Sequence, residues 1–291
     1  MTRDISPLER LRRSGISPEK SLGQNFLIDP NILGVIERLA SLGPDDLVLE
    51  VGPGLGVLTA RLLERCRLVH CVEVDERLAR HLEEEFAASD NLRLHLVDAM
   101  KADLAALQPP PDKFVSNLPY NIAAPLVMRS LTELPTVGFW CLMLQKEVAD
   151  RLFAVTGAAN YGGISVMMRL ACEKLSSRPV SGNVFYPRPR VKSSLLAFRR
   201  IEPAVLSGDG FTAVKALVYG SFSHRRKTLV NSLSEAEDHH LPAPLVQLAQ
   251  AARKQLIEEA LASAGLPVNV RPQDLTPEQY LQLSARLEAA A

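Results

Sequence analysis

The sequence has only four cysteines and no CxxC pair among them: Cys66, Cys71, Cys141 and Cys172 stand singly, mostly inside apolar stretches. Zinc-ligand spacings are therefore missing, and no metal site is expected. Buried, reduced thiols fit this pattern and point to a cytoplasmic protein. No apolar run is long enough to span a bilayer, so no membrane partner is expected. The stretch MTRDISPLERLRRSG is charged and lacks an apolar core, which argues against a secretory signal. Internal repeats and low-complexity tracts are missing as well. Net charge is absent too: 33 basic residues balance 33 acidic ones, so global charge selects no partner. What is present, 291 residues at 47% hydrophobic and 23% charged, suffices for one large globular domain and a smaller one.

The balanced charge is nevertheless segregated. From Arg178 to Arg200 there are six basic residues (Arg178, Arg188, Arg190, Lys192, Arg199, Arg200) and no acid, and His224-Arg225-Arg226-Lys227 follows downstream. A neutral protein can present such segments to a polyanion, although solvated surface accounts for them equally well. Apolar runs at 46–52, 68–75, 92–99, 113–119 and 138–144 read as strands, most of them too continuously apolar for a sheet with one wet face. Helical periodicity lies between them, as in a mostly parallel sheet with helices on both faces. EKLSSRPV and SSLLAFRRI, joined by FYPRPRV, read as an antiparallel pair completing an edge. Beyond IEPAVLSGDG only helical segments follow, including a long one over 243–265, so an α/β domain over 1–205 and a small all-helical domain over 206–291 are expected.

Three strand ends carry chemistry. EVGPGLGVLT places Gly52, Gly54 and Gly56 between the first of these strands and a helix, where backbone can approach a ligand closely. The second strand ends near Glu73, seventeen positions after Gly56, an acid that can accept both hydroxyls of a ribose. Asp98, at the end of the third, can accept from an adenine amino group. All three belong on one rim of the sheet, where open α/β folds bind ligands. NLPYNIA (117–123) follows the fourth strand; taken alone, its Asn and Pro read as a turn.

Taken together these features resemble a class I (Rossmann-like) methyltransferase, in which tetrads like NLPY mark enzymes that methylate exocyclic amino groups of bases. KSLGQNFL, EVGPGLGVLT, the EVD at 73–75, the DAM at 98–100, NLPYNIA, QKEVADRL, YGGISVMM, FYPRPRVKSSL, FSHRRKTLVNSL and RPQDLTPEQY together resemble the small-subunit (16S) rRNA adenine N6,N6-dimethyltransferase family, the Ksg/Dim family. YGG, where YGR or YGK is more familiar, is a peripheral departure. The resemblance implies S-adenosylmethionine as methyl donor, with Asn25, Leu27, Gly52, Gly54, Glu73, Asp98 and Asn117 as its contacts. It implies a base pocket in which the Asn117 side chain and the Leu118 carbonyl, freed by Pro119, accept from adenine N6, while Tyr120 and Phe185 cover the two faces of the base. GQNF becomes a lid with Asn25 and Phe26 facing inward. Arg188, Arg190, Arg225, Arg226 and Lys227 become phosphate contacts, and the substrate becomes small-subunit rRNA in a partly assembled ribosomal subunit, met by a monomer. His70, His81 and His95 are read as structural or exposed. A macrolide-resistance methyltransferase acting on large-subunit rRNA, and a non-catalytic nucleic-acid-binding factor on the same fold, remain as alternatives.

Overall fold

The computed structural model describes residues 6–19, 22–201, 208–224 and 226–290. Nine strands are present among them: β1 (Phe26–Leu27), β2 (Leu47–Val51), β3 (Leu68–Glu73), β4 (Leu92–Leu96), β5 (Lys113–Asn117), β6 (Phe139–Gln145), β7 (Cys172–Val180), β8 (Phe185–Tyr186) and β9 (Ser193–Arg200). Seven form one sheet in the order β4-β3-β2-β5-β6-β9-β7, and β1 pairs with β8 in a separate two-stranded ribbon. The neighbours from β4 through β6 are parallel, and β9 runs antiparallel to β6. The chain thus starts mid-sheet at β2, winds outward through β3 and β4, then returns to β2's other side at β5. That reversal opens a crevice between the carboxyl ends of β2 and β5, the usual ligand position in open α/β sheets.

Burial follows the expected pattern where strands are central. All six residues of β3 are buried, as are four of five in β2. The third apolar run behaves differently: β4 is only partly buried, with Arg93 and Leu96 exposed, because it closes the sheet and lacks a neighbour on one side. Asp29 caps the helix Pro30–Ala40 by accepting from the Asn31 amide at 2.8 Å. Asp75 does the same for the helix Glu76–Glu85, accepting from the Arg77 amide at 3.0 Å. Gly56 enters the helix Val57–Arg65 at φ +73°, and a Cβ there would stand 2.6 Å from the Phe86 ring; only glycine fits. Behind the sheet, Trp140 donates to Ser130 Oγ at 3.0 Å and stacks on Phe198 at 5.1 Å, tying β6 and β9 to the helix Ala123–Glu133 that follows NLPY. All four cysteines are buried thiols outside any disulfide, and burial pushes Cys66 and Cys141 up to about 12.

Contacts divide the chain into one unit of 1–149 with 174–200 and a second of 150–173 with 201–291. The boundary expected at 205/206 falls within 202–207, outside the described residues, and the division differs from a single cut. Asp150–Glu173 groups with the C-terminal helices because the helix Gly163–Ala171 is buried along nearly its whole length. Its Gly163 faces Val218 of the helix Gly208–Phe222 so closely that a Cβ would sit 3.2 Å away. In this unit two buried tyrosines satisfy their hydroxyls on backbone, Tyr161 on the Leu275 carbonyl and Tyr280 on the Pro272 carbonyl, both at 2.9 Å. The long helix expected over 243–265 is two, Ala243–Val246 and Gln250–Ser263. Arg253 explains the break: its guanidinium donates to the Leu245 and Val246 carbonyls at 2.9 and 3.0 Å, satisfying groups that a continuous helix would have satisfied itself.

Candidate active site

The carboxyl ends of β2, β3, β4 and β5 meet around a cavity of about 230 Å³. Its walls include Asn25, Leu27, Gly52, Gly54, Glu73, Asp98, Asn117, Leu118, Pro119 and Tyr120, so ten of the residues singled out from sequence converge there. Gly52 and Gly54 adopt φ +70° and +59°; a Cβ on the first would lie 3.0 Å from Pro119, and on the second 3.0 Å from the Phe26 ring. The glycine turn therefore leaves an open cradle that any side chain would fill.

Glu73 is 5% exposed and its carboxylate is held by three backbone amides: Val74 at 2.9 Å, Asp75 at 3.0 Å and Gly54 at 3.3 Å. Burial still raises its pKa, outweighing these donors. The carboxylate keeps room for one further donor from the cavity. Asp98 accepts from the Met100 amide at 2.8 Å through one oxygen, leaving the other toward Lys101, 4.0 Å away.

Glu50 also lines this cavity and was assigned no role from sequence, although an acid inside the apolar run VLEV is itself a signal. It is buried, accepts from the Thr59 hydroxyl at 2.7 Å, and burial pushes its pKa up to about 7. The folded chain then retains a proton that the unfolded chain releases between about pH 4.5 and 7. Stability should fall as pH rises through that window and level off above it. Glu50→Gln should flatten the slope and stabilise the chain above pH 7 by roughly 3 kcal/mol at most, from about 1.4 kcal/mol per unit of pKa. Urea unfolding of both proteins across this range checks it; an unchanged slope in the variant contradicts it.

The NLPY segment is oriented by two bonds. Asn117 donates its side-chain N–H to the Asn25 carbonyl at 3.0 Å, so its own carbonyl oxygen is turned the other way. The Tyr120 hydroxyl is 2.6 Å from Ser193 Oγ, at the start of β9, and burial holds the phenol neutral by raising its pKa. The Leu118 carbonyl accepts no hydrogen bond from another described residue. GQNF closes one side: Gln24 donates to Asp75 at 3.0 Å, and Asn25, Phe26 and Leu27 line the cavity. Lys20 and Ser21, which begin the longer stretch KSLGQNFL, lie outside the described residues.

Phe185 stands apart from the other residues of the expected base pocket. It is 3% exposed and pairs with Leu27 across the β1–β8 ribbon; Leu27 lines the cavity, and Phe185 packs in the core behind it without being among the lining residues. Successive strand residues point to opposite faces, and the next side chain, Tyr186, is 47% exposed. Arg188, Arg190 and Arg226 are exposed, Lys227 pairs with Glu235, and Arg225 lies outside the described residues. Arg200, the last cation of the basic segment 178–200, is committed within the fold. Its guanidinium donates to the Val137, Leu134 and Leu131 carbonyls at 3.0, 3.2 and 3.3 Å and sits over Trp140. His70 is buried against the Pro109 carbonyl at 2.9 Å and His95 at 3.1 Å, far from any catalytic arrangement in its bonding.

The family model for ribosomal RNA adenine dimethylase matches residues 16–262. The chain belongs to the ribosomal RNA adenine dimethylase family. Among similar dimethylases, the Ribosomal RNA small subunit methyltransferase A of Rubrobacter xylanophilus is 40% identical, covering 93% of this chain and 95% of that protein. The protein of the same name from Geobacillus kaustophilus is 37% identical, covering 96% and 94%. Among solved structures, a dimethyladenosine transferase from Plasmodium falciparum superposes with a TM-score of 0.72 at 25% identity, covering 89% of this chain and 95% of that one. The 23S rRNA methyltransferase ErmE superposes at 0.63 and 29% identity, covering 91% and 100%. The dimethylase family is thus a family of enzymes on a class I methyltransferase fold, and the glycine turn, acids and NLPY of this member occupy one rim of that fold.

Proposed function

We propose that this enzyme transfers methyl groups from S-adenosylmethionine to N6 of adenines in small-subunit rRNA. The observation that carries this reading is the Asn117 amide, pinned by Asn25 so that its acceptor, together with the lone pairs of the Leu118 carbonyl, can meet both hydrogens of an exocyclic amine. The residues present fit the cofactor. The glycine cradle admits a close-lying ligand, Glu73 offers an acceptor to a ribose hydroxyl and Asp98 one to an adenine amino group. S-adenosylmethionine would supply a methyl group on a cationic sulfur, so that the leaving group is neutral.

Adenine N6 is a poor nucleophile because its lone pair is delocalised into the ring. Two acceptors aimed at its hydrogens favour a pyramidal nitrogen and turn the lone pair outward. Tyr120 presents a ring, fixed through Ser193, on which a base taken out of its stack can rest. No side chain need act as general base, since the proton can leave to water after transfer; the rate comes from placement and pre-aimed acceptors. Loop adenines suit such a site, because splaying them out costs less than breaking a pair. The reading extends to two adjacent adenines in a hairpin loop near the 3′ end of the RNA, reached in a partly assembled subunit by a cytoplasmic monomer.

Labelled S-adenosylmethionine offered with a mixture of unmethylated small and large ribosomal subunits tests this. Label should enter small-subunit rRNA alone; equal labelling of large-subunit rRNA would favour the chemistry of the macrolide-resistance enzymes instead. A second expectation concerns charge. Arg188→Ala, Arg190→Ala and Arg226→Ala should each weaken RNA binding and reduce its salt slope by up to about one unit per lost phosphate contact. Cofactor affinity should not change. Titrations across salt concentrations check this, and slopes unmoved by all three substitutions would remove these residues from the interface.

A further inference from the structure

Resting on that reading, we propose that Tyr186 is a stacking platform for the nucleotide beside the target adenosine, served by the stiff basic loop that follows it. Three features of the molecule converge on this side chain. The first is exposure: Tyr186 is 47% exposed, an unusual state for a large aromatic ring. Its hydroxyl forms no hydrogen bond with another described residue, so packing does not explain its place. The second is position. Tyr186 lies directly opposite Phe26 in the antiparallel β1–β8 ribbon, and opposed residues present their side chains on the same face. Phe26 lines the cavity, so Tyr186 is paired in the ribbon with one of the cavity's wall residues.

The third feature is the loop Pro187–Lys192. It leaves Tyr186 and ends at Ser193, whose hydroxyl is 2.6 Å from that of Tyr120. The loop is therefore tethered at both ends to residues that line the cavity. Between the tethers Arg188, Arg190, Val191 and Lys192 are all exposed, with no acid among them. None of the three cations forms a side-chain ion pair or hydrogen bond with another described residue. Pro187 and Pro189 fix their φ angles, so little chain entropy is lost when the loop meets a ligand. An exposed aromatic ring followed by unpaired cations on a rigid loop is the combination that binds single-stranded nucleic acid, base on ring and phosphates on cations. A flipped adenosine in the cavity leaves its neighbour without a stacking partner, and Tyr186 is placed to supply one.

The test is steady-state methylation of unmethylated small ribosomal subunits by wild type, Tyr186→Ala and Tyr186→Phe, with cofactor affinity measured by calorimetry. Alanine should raise KM for the subunit roughly tenfold, the scale of one lost base–aromatic stack. Its kcat and cofactor affinity should stay near wild type, and phenylalanine, which keeps the ring, should restore KM. A KM unchanged in Tyr186→Ala would overturn the proposal. So would equal impairment by phenylalanine, which would assign the effect to the hydroxyl. A parallel loss of cofactor affinity would also overturn it, by showing that the ribbon and not the RNA contact had been damaged. Wild type that methylates no small-subunit RNA would instead refute the function proposed above, a separate result visible in the same experiment.

Discussion

Asn117→Ala should lower the rate of methyl transfer about a hundredfold, the scale for losing one pre-aimed donor or acceptor from a preorganised site. The loss has two parts. The acceptor facing the exocyclic amine disappears, and so does the N–H donated to the Asn25 carbonyl at 3.0 Å, which helps hold the lid segment over the cavity. Asn117→Asp separates them: it keeps an acceptor toward the base but sets a carboxylate oxygen against the Asn25 carbonyl, so it should also be slow. Tyr120→Ala should slow turnover on a similar scale, with a much smaller effect on cofactor affinity. Tyr120→Phe, which loses only the contact with Ser193, should retain most of the activity. Single-turnover rates at saturating cofactor measure these effects; near-normal rates in both Asn117→Ala and Tyr120→Ala would rule out base positioning by NLPY.

Glu73→Gln should weaken S-adenosylmethionine binding by about 1.5–3 kcal/mol, the range for a charge-assisted hydrogen bond. The glutamine amide removes the charge and places an N–H group where the Gly54 amide now donates at 3.3 Å. Glu73→Ala is a harsher change, since it leaves three buried amides without their acceptor. Burial raises the carboxyl's pKa, so protonation sets in at a higher pH than for an ordinary glutamate. Cofactor affinity should consequently fall on acidification before exposed carboxylates titrate. Calorimetry on a folded Glu73→Gln protein settles its role: unchanged affinity would remove Glu73 from the ribose contact.

Much of this site was legible because its signals are local. Gly52 and Gly54 announce a turn, Glu73 closes a strand of six buried residues, and Asn117 closes another; strand ends on one rim follow from parallel topology alone. What escaped depended on partners distant in sequence or on the fine phase of a short element. Phe185 and Tyr186 differ by one residue, and only the fold shows that the first ring is buried and the second exposed. Arg200 looks like surface charge until its carbonyl acceptors, more than sixty positions away, are brought beside it. The helix Gly163–Ala171 has glycine both at its cap, Gly162, and at its first position, so its propensity argues against it, and burial against the C-terminal helices overrides that tendency. The helix Pro7–Ser14 went unread although Ser6, Pro7 and Glu9 form a good start: the Ser6 hydroxyl accepts from the Glu9 amide at 3.2 Å. Glu50 was visible as a letter, but only the surrounding core shows that its charge is suppressed.

The central claim is that one rim of the sheet binds the methyl donor and holds adenine N6 against it. Nucleoside analysis of small-subunit rRNA after a single incubation with labelled S-adenosylmethionine tests that claim most directly, with wild type and Asn117→Ala run side by side. With S-adenosylmethionine saturating for both proteins, the account predicts label in N6,N6-dimethyladenosine with wild type and about a hundredfold less with the variant. Label on another base or another atom of adenine, or equal labelling by the two proteins, would contradict it.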